Sequence, residues 1–183
     1  MALYYTYDEN PLLRSIIHLI TDTIVVIAFA WFIVYGFMNQ TIITGHSMAP
    51  TLEADEMCLI NRLTYDFGDP KRFDVVVFQK DDSSQLNVKR IVGLPGETVQ
   101  ILGGDIYIDN YRLESEEIFG DISLPGIAEN PVVLASDEYF LIGDNTDSSE
   151  DSRFSNIGNV KRENIKGKVW FRLRPFGRIG LIH

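Results

Sequence analysis

A run of apolar residues from Ile16 to Met38 constrains this chain more than any other feature. Between Ile24 and Met38 it carries no charge. A helix from Leu12 to Met38 would be roughly 40 Å long, enough to cross a hydrocarbon core of about 30 Å with some tilt. A removable secretory leader has a shorter apolar core followed by small residues at the cut. Tyr35-Gly36-Phe37-Met38-Asn39-Gln40 offers no such site, so a retained anchor over 16–38 is expected. Arg14 precedes the span and no Lys or Arg follows it until Arg62. The excess of cations on one side assigns 1–15 to the cytoplasm and 39–183 to the outer face of the cell membrane. His18 and Asp22 lie four apart on one helical face, near the cytoplasmic end, and read as a local pair or a helix–helix contact.

After residue 38 the long apolar run gives way to short ones. Glu56–Arg62, Phe73–Gln79, Leu86–Val92, Thr98–Leu102, Asp105–Ile108, Pro131–Ala135, Tyr139–Ile142 and Lys166–Arg172 are rich in Val, Ile, Phe and Tyr. Turn residues bound them, which is the pattern of strands. Gly103-Gly104 and Asp109-Asn110 are expected as hairpin turns, and 164–167 as a break. The polar stretch Glu114–Asn130 is expected as a loop or small excursion. The fold class that follows is mainly β: one N-terminal transmembrane helix and an antiparallel β domain over 39–183.

Net charge is -10, which disfavours nucleic acid as a partner. The charge is uneven: Lys161 to Arg178 holds seven cations and one acid. That run reads first as solvated surface and alternatively as a contact for anionic membrane lipid. Cys58 is the one cysteine and sits in an apolar run, so an inert buried thiol is expected. With no second Cys and no His cluster, zinc is not expected. The acidic stretch Gly143–Arg153 lacks the glycine and terminal glutamate of an EF-hand loop, so calcium is not expected either. No metal or cofactor is anticipated.

Three segments carry the chemistry. Gly45-His46-Ser47-Met48-Ala49-Pro50-Thr51-Leu52 offers a hydroxyl in a constrained turn, within ten residues of the span. A serine needs a base to become a nucleophile, and most turn serines merely bond the backbone. Lys89 in Asn87-Val88-Lys89-Arg90-Ile91 is embedded in an apolar strand. Burial would lower its pKa toward a usable base; an exposed, snorkelling lysine is the ordinary alternative. Gly143-Asp144-Asn145-Thr146-Asp147-Ser148-Ser149-Glu150-Asp151-Ser152-Arg153 offers hydroxyls and an Asp151–Arg153 pair suited to support a site.

Together these segments resemble the boxes of the type I signal peptidases, in particular the small Gram-positive-like members. The first is similar to their Ser-Met-x-Pro-Thr-Leu box, and the second to their Lys-Arg-x-x-Gly-x-Pro-Gly-Glu box. The third is similar to their Gly-Asp-Asn-x-x-x-Ser-x-Asp-Ser-Arg box. Asp74-Val75-Val76-Val77-Phe78 matches the strand box between the first two. The resemblance implies a catalytic domain of the signal-peptidase and LexA-like type. It implies a serine endopeptidase that removes signal peptides from exported preproteins through an acyl-enzyme. Ser47 would be the nucleophile, Lys89 the general base, and Ser149 the hydroxyl that orients the lysine. Asp151 and Arg153 would form a supporting ion pair, while Met48 and Pro50 would help shape the substrate cleft. Gly45 stands where some members carry an oxyanion hydroxyl, so the Ser47 amide, with a neighbouring amide or water as a second donor, is expected to hold the oxyanion. The interval 98–142 would be a reduced insertion. Preprotein signal peptides, membrane lipid and the export machinery are the implied partners. A non-catalytic chaperone for pilin or surface-protein assembly is the alternative. A self-cleaving repressor of the LexA type shares the dyad, but it would need a DNA-binding element and no span. A surface binding module would leave the three segments without a purpose.

Overall fold

The computed structural model describes residues 11–37, 39–80 and 85–182. The expected cytoplasmic residues 1–10 and the last residue of the expected span, Met38, lie outside them. The chain divides into two compact units, Met1–Gly36 and Phe37–His183.

The described residues of the first unit belong to a helix, α1, Pro11–Phe37, of 27 residues, about 40 Å long. Its most apolar window has a mean hydropathy of 2.2 and no buried residue. A helix apolar all round suits lipid rather than water. The hydroxyls of Thr21 and Thr23 donate back to the carbonyls of Ile17 (2.9 Å) and Leu19 (2.7 Å), which satisfies them without water. Trp31 and Tyr35 stack one turn apart, with ring centroids 5.3 Å apart. Among the described residues, His18 and Asp22 make no hydrogen bond or ion pair with each other.

The second unit is built of short antiparallel strands. In chain order they are β1 (Asn39–Ile42), β2 (Met57–Asn61), helix α2 (Leu63–Asp66), β3 (Val75–Gln79), β4 (Leu86–Gly93), β5 (Thr98–Leu102), β6 (Asp105–Ile108) and β7 (Tyr111–Arg112). Then come helix α3 (Glu116–Phe119), β8 (Val132–Val133), β9 (Glu138–Ile142), β10 (Val160–Lys161), β11 (Ile165–Arg174) and β12 (Gly180–Leu181). Among the described residues the main sheet runs β1-β2-β11-β3-β4-β9-β10, with β12 on β11. A smaller sheet runs β7-β6-β5-β8. In the β5–β6–β7 meander both tight turns have central residues at positive φ, Gly103-Gly104 and Asp109-Asn110, as a two-residue hairpin of the right twist requires.

Strand β3 shows how the core is divided. Val75, Val76, Val77 and Phe78 are all buried, because a central strand is covered on both faces. Val75 and Val77 pack with Met48, Leu52, Cys58 and Val169. Val76 and Phe78 pack on the other face with Ile91, Tyr139 and Leu141. A third cluster joins Phe140 and Ile142 of β9 to the small sheet.

Two expectations need correction. The stretch 114–130 is more than a loop excursion: Phe119, Ile122 and Ala128 belong to that third cluster, held by α3 and a 3-10 turn at Gly126–Glu129. The break expected over 164–167 is confined to Asn164, which ends a 3-10 turn; β11 starts at Ile165 and continues through a bulge before Gly167. A Cβ on Gly167 would overlap the Ile60 side chain, so this glycine serves close strand packing and not a turn.

Candidate active site

Ser47 stands in the turn between β1 and β2. Gly45 enters that turn at φ +80, and the Ala49–Pro50 peptide is cis. Met48 and Leu52 are buried in the core on either side of the cis bond, and the Leu52 N–H donates to the Met48 carbonyl at 2.8 Å. The turn is thus fastened by its apolar side chains, while His46 stays exposed beside it. On the other flank, the Asn145 N–H donates to the Ser47 carbonyl at 3.1 Å.

Lys89 lies on β4, one residue before β9 begins to pair with that strand at Arg90. Residues Leu86 to Lys89 therefore pair in register with β3 alone. The Lys89 side chain crosses to the turn of Ser47, where Nζ donates to Ser47 Oγ at 2.7 Å. Lys89 is 4% exposed and, among the described residues, has no carboxylate at ion-pair distance. Burial lowers its pKa; the nearby Asp151, Glu150 and Asp144 carboxylates pull it partly back, and Arg153 adds to the lowering. A buried amine that sheds its proton while touching a hydroxyl can act as a base toward it.

Ser149 does not contact Lys89 within hydrogen-bonding distance; its hydroxyl donates to Asp151 Oδ2 at 2.6 Å. Asp151 also accepts the Gly143 N–H (3.0 Å) and the Arg153 guanidinium, from Nε at 2.8 Å and Nη2 at 2.9 Å. The side chains of Asp151 and Arg153 are fully buried. Arg153 Nη2 further donates to the Thr146 carbonyl at 2.7 Å, so the pair ties down the loop that flanks Ser47. Such a buried pair avoids desolvation loss by saturating its hydrogen bonds.

A cleft at Ser47 and Met48 is lined by Thr41 to Thr44 and by Leu86 to Lys89. Pro50 is exposed and lines a different depression, with Phe119 and Asn145. Cys58 is buried and its thiol is pushed up to about 11 by burial, then by Glu56, so it is inert at neutral pH.

The family model described as signal peptidase, peptidase S26, matches residues 16–174. This chain belongs to the signal peptidase family. It is 37% identical over 146 residues to signal peptidase I of Leptolyngbya laminosa, covering 75% of this chain and 70% of that one. It is 33% identical over 154 residues to signal peptidase I of Bacillus caldolyticus, covering 78% and 82%. A solved signal peptidase I from Enterococcus faecalis is 27% identical and covers 56% of this chain and 97% of its own, with a TM-score of 0.43. Membership of the signal peptidase family makes the chain a serine peptidase, a hydrolase of peptide bonds. Its apolar N-terminal helix is consistent with a membrane anchor.

Sequence reasoning about this signal peptidase family member missed two features of the site. Arg90, next to Lys89, forms a bidentate pair with Asp144 from Nε (2.8 Å) and Nη2 (2.7 Å) and donates to the Phe73 carbonyl at 2.9 Å. The available signal was a charged residue in an apolar strand, with an acid in the third box. Gly143 was named only as part of a box. A Cβ there would overlap both Ser149 Oγ and the Ser47 carbonyl oxygen. No signal in one sequence separates that glycine from a turn glycine.

Proposed function

We propose that Ser47 and Lys89 are the catalytic dyad with which this chain removes signal peptides from exported preproteins. The observation that carries the reading is the 2.7 Å contact between Lys89 Nζ and Ser47 Oγ, made by a buried lysine that has no carboxylate partner among the described residues. With Lys89 neutral the contact reverses, the Ser47 hydroxyl donating to the amine. Ser47 Oγ then attacks the carbonyl carbon before the scissile bond while Lys89 takes its proton. Collapse of the tetrahedral adduct breaks the C–N bond, and Lys89 returns the proton to the departing amine of the mature chain. The signal peptide is left as an ester on Ser47. Lys89 next takes a proton from a water, which attacks the ester; the Ser47 Oγ–acyl bond breaks, Lys89 returns the proton to Ser47 Oγ, and the signal peptide leaves as a carboxylic acid.

The Ser47 backbone N–H is the oxyanion donor in this reading, in a turn opened by Gly45. Asp151 and Arg153 hold the flanking loop. Because Ser149 donates to Asp151, its lone pairs are left to accept from Lys89 during the reaction. Met48 and Pro50 shape the surroundings of the nucleophile. The substrate segment before the cut enters as an extended strand in the cleft between Thr41–Thr44 and Leu86–Lys89. Support comes from β1 being the terminal strand of its sheet and from β4 pairing with β3 alone at those residues.

Residues 16–38 span the cell membrane with 1–15 cytoplasmic, and 39–183 work outside it, where exported preproteins emerge. The 98–142 interval is a reduced insertion. Confinement with substrate in one lipid bilayer raises the effective concentration of each for the other, and brings the chain close to the export machinery.

The test is cleavage of a preprotein with an Ala-x-Ala-type junction by the full chain in detergent. Wild type is expected to cut at that junction. Ser47→Ala and Lys89→Ala are expected to lose the activity while staying folded. Full activity in Lys89→Ala overturns the base assignment. An inert wild type with several preproteins favours a non-catalytic chaperone for surface-protein assembly.

A further inference from the structure

The mechanism gives no task to the basic C-terminal segment, yet two of its arginines grip the nucleophile turn from behind. Arg178 Nη2 donates to the Pro50 carbonyl at 3.0 Å, and Arg172 donates to the Thr51 carbonyl. Each guanidinium also forms an ion pair with Glu56: Arg172 Nε to Oε2 at 2.7 Å, and Arg178 Nη1 to Oε1 at 3.0 Å. Glu56 is 2% exposed and sits at the end of the same turn, where its Oε2 accepts the Glu53 N–H at 3.2 Å. Arg172 Nη1 donates to the Arg178 carbonyl at 3.2 Å, which closes the group into a unit.

We propose that Arg172 and Arg178, joined through Glu56, are positioning residues that set the turn carrying Ser47 and thereby the rate of acylation. Pro50 and Thr51 lie three and four residues beyond the nucleophile. The Leu52-to-Met48 hydrogen bond makes the intervening chain one closed turn. A shift of the two carbonyls is therefore passed to Ser47, whose far side is pinned by the Asn145 N–H. Dyad geometry tolerates little: misplacement of about 1 Å can lower a rate by roughly 10²-fold. The side chain of Arg178 is 39% exposed, and without it buried Glu56 still keeps its ion pair with Arg172, so its removal leaves no unpaired buried charge. Its value lies in what it holds.

This inference rests on the Ser47–Lys89 reading, and the experiment separates the two. The full chain in detergent micelles is assayed as wild type, Ser47→Ala, Arg178→Ala and Arg178→Lys on the same preprotein. Arg178→Ala is expected to lower kcat by roughly 10–100-fold with KM nearly unchanged and Tm shifted by no more than about 2 °C. Arg178→Lys, which keeps a charge for Glu56 but not the fork, recovers part of the rate. Added methylguanidinium raises the rate of Arg178→Ala and not that of wild type. Amide exchange of residues 46–54 is faster in Arg178→Ala than in wild type. Wild-type kcat in Arg178→Ala, a rate loss matched by a large fall in Tm, or unchanged exchange over 46–54 overturns the proposal. Failure of wild type to cut, or cutting by Ser47→Ala, sinks the dyad reading instead, while amide exchange still judges the clamp.

Discussion

Lys89 and Arg90 are neighbours on β4, both basic and both buried, and the protein treats them in opposite ways. A guanidinium stays charged in a protein, so Arg90 is met by both oxygens of Asp144 and by the Phe73 carbonyl. An amine can shed its proton, and Lys89 is given a hydroxyl in place of a carboxylate. Burial of Arg90 is resolved by pairing and burial of Lys89 by lowering its pKa. The first neighbourhood is a structural solution. The second leaves a buried amine that no carboxylate offsets, which suits the base role proposed for it.

The sharpest way to break the contrast is to give one site the chemistry of the other. Lys89→Arg would leave a permanent charge with no carboxylate partner and no lone pair for Ser47. The expected loss of preprotein cleavage is roughly 10⁴–10⁶-fold, read from single-turnover kinetics. Residual cleavage within tenfold of wild type would mean that Lys89 is not the base.

Arg90→Ala attacks the other side of the comparison. It strands the Asp144 carboxylate in the interior, and removing one partner of a buried pair costs about 3–5 kcal/mol. Denaturant unfolding should show that loss, and an unchanged midpoint would remove Arg90 from the structural class.

Gly143→Ala sharpens the contrast from a third direction, because its new methyl presses on Ser149 and on the Ser47 backbone together. A fall in kcat of roughly 10²-fold is expected, with secondary structure intact by circular dichroism. The smallest effect is one of stability. A lysine whose folded pKa is depressed costs the fold wherever the unfolded lysine would be protonated. That cost is full below the folded pKa and vanishes as pH rises through the unfolded value of about 10.4. Lys89→Met should therefore raise Tm at neutral pH, and the gain should shrink toward pH 10. A Tm that falls at pH 7 would show that Lys89 is not destabilising where it sits.

Much of this was legible in the residues, and the limits have physical causes. An apolar N-terminal helix, the Gly-Gly and Asp-Asn hairpin turns and a strand within Phe73–Gln79 follow from local pattern, and the structure has a helix over Pro11–Phe37, both turns and β3. The Ser47 and Lys89 segments could be singled out by type and context, but their 2.7 Å approach joins residues 42 apart in the chain. The Asp144 partner of Arg90 is more remote still, 54 residues away. Strands β7, β10 and β12 have two residues each, too short to show a period. Phe119, Ile122 and Ala128 escaped notice as core because their spacing follows an irregular path and no strand or long helix.

Strand β11 carries a consequence for biogenesis. It is the last long strand in the chain, yet it lies inside the main sheet, between β2 and β3. The sheet that joins the β1–β2 turn to β4 cannot close until residues 165–174 arrive. A growing or truncated chain therefore holds Ser47 on one half of an unfinished sheet and Lys89 on the other. Assembly of the Ser47–Lys89 contact therefore waits on residues 165–174 by topology alone.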